Sequence, residues 1–183
     1  MSDTVAKHLD TFPAWLRSLG ADAQGIAGLL EVDGLPQPVS ELVAGGLNYL
    51  FKSLDLIPDG IDDIGYLDDA FVLRVAADLA CREDLGAASG DAKDVLDRLA
   101  GEADTVREFL AQDYVRLETY VQGLRKGAAR GRAVSDILGD DAIKQEFLSD
   151  VQGFAGSYES PSFAREEKNL IKLRAFFDAK LPR

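Results

Sequence analysis

The chain has 183 residues, 46% of them apolar and 28% charged, a composition that supports one buried core and argues against wholesale disorder. Its 32 acidic against 20 basic residues give a formal charge of −12, which repels nucleic-acid backbone and anionic lipid alike. A single cysteine, Cys81, excludes an intramolecular disulfide, and the start Met-Ser-Asp-Thr lacks the basic and apolar regions of a signal peptide, so a cytoplasmic address is expected.

Apolar residues recur at spacings of three and four and nothing alternates as a strand would, which predicts an all-α helical bundle of six or seven helices. Val5, Leu9, Phe12, Leu16 and Leu19 mark the first helix. Pro13 is expected to reset it and Gly20 to stop it, with a further short helix over 21–31. The run Asp33-Gly34-Leu35-Pro36-Gln37-Pro38 is a breaker, so 1–35 reads as an N-terminal helical arm. A helix from Pro38 to about Ser53 and another from Leu67 to about Leu85 make a hairpin over 36–86. On the second of these, Arg74, Asp78 and Arg82 fall four apart as one polar stripe.

Leu96, Leu99, Ala103, Val106, Leu110, Asp113, Leu117, Tyr120 and Leu124 keep a heptad rhythm, with Asp113 its one charged member. They predict a single helix of some nine turns, packed along its own domain or offered to a second chain. A basic, glycine-containing stretch follows, then helices from about Asp141 to Phe154 and from beyond Pro161 to about Lys180. The region 87–183 is expected to pack with the hairpin. The longest apolar stretch, Leu42 to Pro58, is interrupted by Asn48, Lys52 and Asp55 and is too short to span a membrane.

Between the hairpin helices, Asp55, Asp59, Asp62, Asp63, Asp68 and Asp69 crowd together with no base from Lys52 to Arg74. Three things could offset their repulsion: helix N-termini, basic side chains folded onto the turn, or a bound cation. Asp55 and Asp68 are placed to cap helices. Oxygen ligands converging from both sides would suit Mg²⁺, Mn²⁺ or Ca²⁺, though the spacing does not match an EF-hand. No cofactor is otherwise expected. Arg125, Lys126, Arg130 and Arg132 form the one positive stretch, an ordinary solvated loop between helices or a dock for a phosphate, an acidic partner or the protein's own acidic turn, including that of a second copy. Cys81 on an apolar helix reads as a small core residue rather than the nucleophile of a pair with His8. No phosphate loop or zinc set is present.

The stretch Tyr49-Leu50-Phe51-Lys52-Ser53-Leu54-Asp55-Leu56-Ile57-Pro58-Asp59, with Ile61 and then Gly65-Tyr66-Leu67-Asp68-Asp69, resembles the YkvA-like domain, a bacterial domain of unknown function. The resemblance covers about residues 40–85 and implies a helical hairpin but no activity or cofactor. Ser53-Leu54 stands where the family has a proline before the first Asp, and Asp62 where it has a second proline. Some relatives place this hairpin in or near membranes, which the charge of this chain disfavours. The expectation is a non-enzymatic interaction or scaffold protein that binds a protein partner or itself. A divalent-cation protein, with a metal-dependent hydrolase as one form, is the alternative. Neither nucleic-acid binding nor membrane association is expected.

Overall fold

The computed structural model describes residues 1–183 and forms the all-helical bundle that the periodicity predicts. Its helices are α1 (Asp3–Ala27), α2 (Gln37–Asn48), α3 (Leu67–Cys81), α4 (Gly90–Leu110), α5 (Tyr114–Gly123), α6 (Val134–Gly139), α7 (Asp141–Ser157) and α8 (Glu167–Lys180). With α4 and α5 counted as the one long helix predicted, the bundle has seven. No helix is long and apolar enough to cross a membrane.

Helix α3 lies at the centre, packed on α4, α2, α1 and α5. Nearly all its residues are buried, as expected of a helix apolar on several faces. Arg74 does not join a surface stripe. Its fully buried guanidinium stacks on Trp15 at 4.0 Å and pairs with Glu102 at 2.8 Å and Asp22 at 3.3 Å, linking α1, α3 and α4. Asp78 pairs with Arg82 alone of that stripe, at 2.6 Å.

Three expectations about helix ends are corrected. First, α1 runs unbroken through Pro13 and Gly20. A proline inside a helix costs about 3 kcal/mol, but Leu9, Phe12, Trp15, Leu16 and Leu19 are all buried on one face. At roughly 1.5–3 kcal/mol for each large apolar side chain, that burial outweighs the proline. Gly20 serves close packing instead of termination: a Cβ there would meet the backbone of Ala155 in α7 at 3.3 Å.

Second, the nine-turn helix is interrupted. Ala111 takes φ +51°, a single 3-10 turn covers Ala111–Asp113, and α5 restarts at Tyr114. Asp113, the charged member of the seam, sits in this break and pairs with Arg116 at 2.8 Å. The seam is largely internal: Leu96, Leu99, Ala103, Val106, Leu110, Leu117 and Leu124 are buried within the chain and Tyr120 is half-buried, so no continuous face is left for coiled-coil pairing. Third, the basic stretch holds a small antiparallel hairpin, β1 (Ala128–Ala129) with β2 (Arg132–Ala133). Its two-residue turn, Arg130-Gly131, has positive φ at both positions, the form whose twist suits a tight hairpin.

Candidate functional site

Helix α2 ends in a 3-10 turn, Tyr49–Phe51, from which the chain enters the acidic turn. Tyr49 is buried, and its hydroxyl donates to Asp68 Oδ2 at 2.5 Å while accepting from the Leu56 N–H at 2.8 Å. The Ile57 N–H donates to the same Asp68 oxygen at 3.1 Å. Tyr49 and Asp68 thus clamp the turn onto the first turn of α3, and Leu56, Ile57 and Ile64 are buried beneath it. Further along, Gly65 passes so close to the Asp59 carbonyl oxygen that a Cβ would stand 2.2 Å from it, which excludes every other residue there without rearrangement.

The capping roles expected of Asp55 and Asp68 are not what the fold uses. Tyr66, in left-handed conformation at φ +67°, is the N-cap of α3 and gives no side-chain hydrogen bond. Asp68 is the second residue inside the helix, and Asp55 precedes no helix at all. Asp63 accepts from the Ala164 N–H at 2.8 Å and so anchors the segment leading into α8. Asp62 is exposed and stands apart from the buried acids.

Four of the six aspartates do influence one another: Asp55, Asp59, Asp68 and Asp69. Asp68 and Asp69 are buried and have no arginine or lysine partner. Burial raises Asp69 well above the usual carboxylate range, and Asp68, Asp59 and Asp55 add to the shift. Burial also raises Asp68, against the pull of the Tyr49 hydroxyl and the Ile57 N–H. Asp55, half-buried, is pushed up to about 7 by desolvation and then by Asp68 and Asp59, with Lys52 opposing. Asp59 lies at the surface, and partial desolvation raises it. Three buried oxygens meet no hydrogen-bond donor: Asp55 Oδ1, Asp68 Oδ1 and Asp69 Oδ2. Such groups take up a proton or a cation, because an isolated buried charge is too costly to persist. No three of the chain's His, Cys, Asp and Glu side chains are arranged to hold a metal ion.

The basic stretch does not present one patch. Arg132 is buried between Phe51 and Phe147 and pairs with Asp150 at 2.7 Å. Arg130, at the hairpin tip, lies 4.9 Å over the Phe51 ring and lines a cleft of about 390 Å³ that Asp59 also enters. One residue of the acidic turn and one of the basic hairpin therefore line the same cleft. Arg125 faces another cleft, of about 520 Å³, together with Asp33, Glu41 and Lys144, and Lys126 is exposed. His8 and Cys81 have separate surroundings. His8 is buried between Phe12 and Phe109, and the Cys81 thiol is pushed up to about 11 by burial and Asp97.

A surface that sequence reasoning did not single out lies beside the turn. Lys52, α5 residues Val115, Arg116, Thr119 and Tyr120, then Leu124, Pro182 and Arg183 enclose a groove of about 480 Å³. Its floor is largely apolar, and three bases but no acid line it. Lys52 Nζ sits 5.9 Å over the Tyr120 ring and has no ion-pair partner within 4.0 Å. Arg116 is committed to structure: it bonds Asp113 and Asp178 and the carbonyls of Asp178, Leu181 and Pro182, fixing the last residues against α5. Val115 is 67% exposed, and Leu54, two residues beyond Lys52, is 84% exposed. The available signal was Val115, an apolar residue in α5 that lies off the Leu96–Leu124 seam.

No curated protein and no solved structure matches the chain. The match that is found falls on α2, the clamped turn and the first half of α3: over residues 42–74 the chain fits the family described as "Protein of unknown function (DUF1232)", the family its turn motif resembles.

Proposed function

We propose that the chain is an interaction protein in which the bundle holds rigid a groove that receives an acidic segment of a partner protein carrying apolar side chains. The observation behind this reading is the charge of the groove. Within a chain of −12, it has a largely apolar floor rimmed by Lys52, Arg116 and Arg183 and lined by no acid. Apolar contact supplies affinity in such an interface, and charge complementarity at the rim supplies attraction and orientation. Lys52 and Arg183 carry the complementarity, since Arg116 is neutralised by its own carboxylates. The Arg183 pairing with Asp178, 3.6 Å between two exposed side chains, is too weak to cancel it. Val115, 67% exposed, offers apolar contact within the groove, and the exposed Leu54 follows two residues after Lys52.

Most of the seam, from Leu96 to Leu117, is used inside the bundle, and only its last members, Tyr120 and Leu124, reach the groove. A divalent-cation role for the acidic turn has the three unsatisfied carboxylate oxygens in its favour and the absence of a three-ligand arrangement against it.

The test is fluorescence anisotropy with a short synthetic peptide in which leucine and phenylalanine alternate with glutamate, against a peptide with glutamine in place of glutamate. The acidic peptide is expected to bind more tightly, and Lys52→Glu to weaken it about tenfold, equivalent to about 1.4 kcal/mol. Equal binding of both peptides, or no effect of Lys52→Glu, would contradict the proposal.

A further inference from the structure

The turn between α2 and α3 is fastened at one polar point. Asp68 Oδ2 accepts from the Tyr49 hydroxyl and the Ile57 N–H, and that hydroxyl in turn holds the Leu56 N–H. The other Asp68 oxygen and Asp69 Oδ2 are buried and meet no N–H or O–H elsewhere in the chain. Asp68 and Asp69 are consecutive residues of α3, and each is satisfied if one carboxyl carries a proton and donates it to the other.

The groups that act most strongly on this pair are acidic or phenolic. The turn contributes Asp55 and Asp59, and Lys52 bears on Asp55. Tyrosines close the remaining sides: Tyr49 from the end of α2, Tyr66 ahead of α3, Tyr120 from α5 and Tyr158 beyond α7. No arginine or lysine forms an ion pair with either carboxylate to balance a second negative charge.

We propose that Asp68 and Asp69 hold a single proton between them and that its loss to solvent at alkaline pH loosens the turn from α3, so that the pair is a pH-sensitive latch. With the proton in place, Asp68 is an ionised acceptor for Tyr49 and Ile57, and Asp69 is a neutral donor. Without it, two buried carboxylates repel each other, and the cheapest relief is to move the turn and admit water. Lys52, a wall of the groove, stands at the start of this turn. That link to docking rests on the proposed function, whereas the latch does not.

Two measurements on the free protein test it. The first follows the carbon-13 carboxyl shifts of Asp68 and Asp69 in the wild type through a pH titration. One proton is expected to remain on the pair well above the ordinary carboxylate range, and loss of both protons near about pH 4 would overturn the proposal. The second compares hydrogen-exchange protection of the Leu56 and Ile57 amides in the wild type and in Asp69→Asn, whose amide still donates to Asp68 but carries no charge. Protection is expected to be equal at low pH and about tenfold lower in the wild type at alkaline pH, relative to amides of α4 in the same molecule. A ratio that does not change with pH would overturn the latch. Should Asp69→Asn fail to fold, the wild-type titration and the wild-type ratio of turn to α4 amides decide alone. Neither measurement uses a partner, so a failure of docking leaves them unaffected.

Discussion

Asp55 is the acid of the turn whose titration bears most openly on stability. Its carboxyl is raised to about 7 in the folded chain, chiefly by desolvation, against about 3.9 when unfolded. A raised acid favours the fold most while it is protonated. Its contribution is complete below the unfolded value and is lost as pH rises through about 7. Asp55→Asn, neutral throughout, is therefore expected to gain on the wild type between about pH 4 and pH 7. Solvent on its exposed side limits the gain to about 1 kcal/mol. Melting curves across that range check it, and a constant difference would count against the assignment. The same curves taken with Mg²⁺, Mn²⁺ or Ca²⁺ should not move, whereas an ion bound at about 100 times its Kd would add about 2.7 kcal/mol.

The residues of this turn were legible in the sequence as an unusual acidic run, but their roles were not. Spacing alone made Asp68 a cap at the start of α3. Its actual partners, the Tyr49 hydroxyl and the Ile57 N–H, lie 19 and 11 residues away and come within reach only once the turn folds back. Asp62 and Asp63 belong to the same run, yet one is exposed and the other anchors Ala164.

Among the elements, the periodicity located α2, α3, α7 and α8 well, because each buries one continuous set of apolar residues. Errors fell where a local signal competed with tertiary packing. Pro13 and Gly20 read as breakers, but the face from Leu9 to Leu19 holds α1 together through both. Gly25 belongs to the same pattern, since a Cβ there would stand 3.0 Å from Val95 in α4. The opposite error occurred at Ala111, where an unbroken heptad concealed a break. Alanine at φ +51° is strained, and glycine relieves that strain. Ala111→Gly is expected to stabilise the chain by about 0.5–1 kcal/mol in chemical denaturation, although glycine in a helix interior would cost a similar amount. Destabilisation would mean that α4 and α5 are joined as the heptad suggests.

For the molecule as a whole, the seam, the basic stretch and the acidic turn each looked like a means of reaching outward, and the fold turns part of each inward. The seam packs against its own bundle, Arg132 is buried with Asp150, and the acidic turn shares a cleft with Arg130. What remains outward is the groove formed by Lys52, α5 and the last residues, joined from parts of the chain more than 120 positions apart. No local pattern could announce it. The amide spectrum of the free protein, titrated with the leucine-phenylalanine-glutamate peptide, tests this account most directly. Shifts are expected at Lys52, along Val115 to Leu124 and at Leu181 and Arg183, with the amides of α6 and α7 unmoved. Shifts centred on the Arg125 or Arg130 clefts, or no shifts at all, would contradict it.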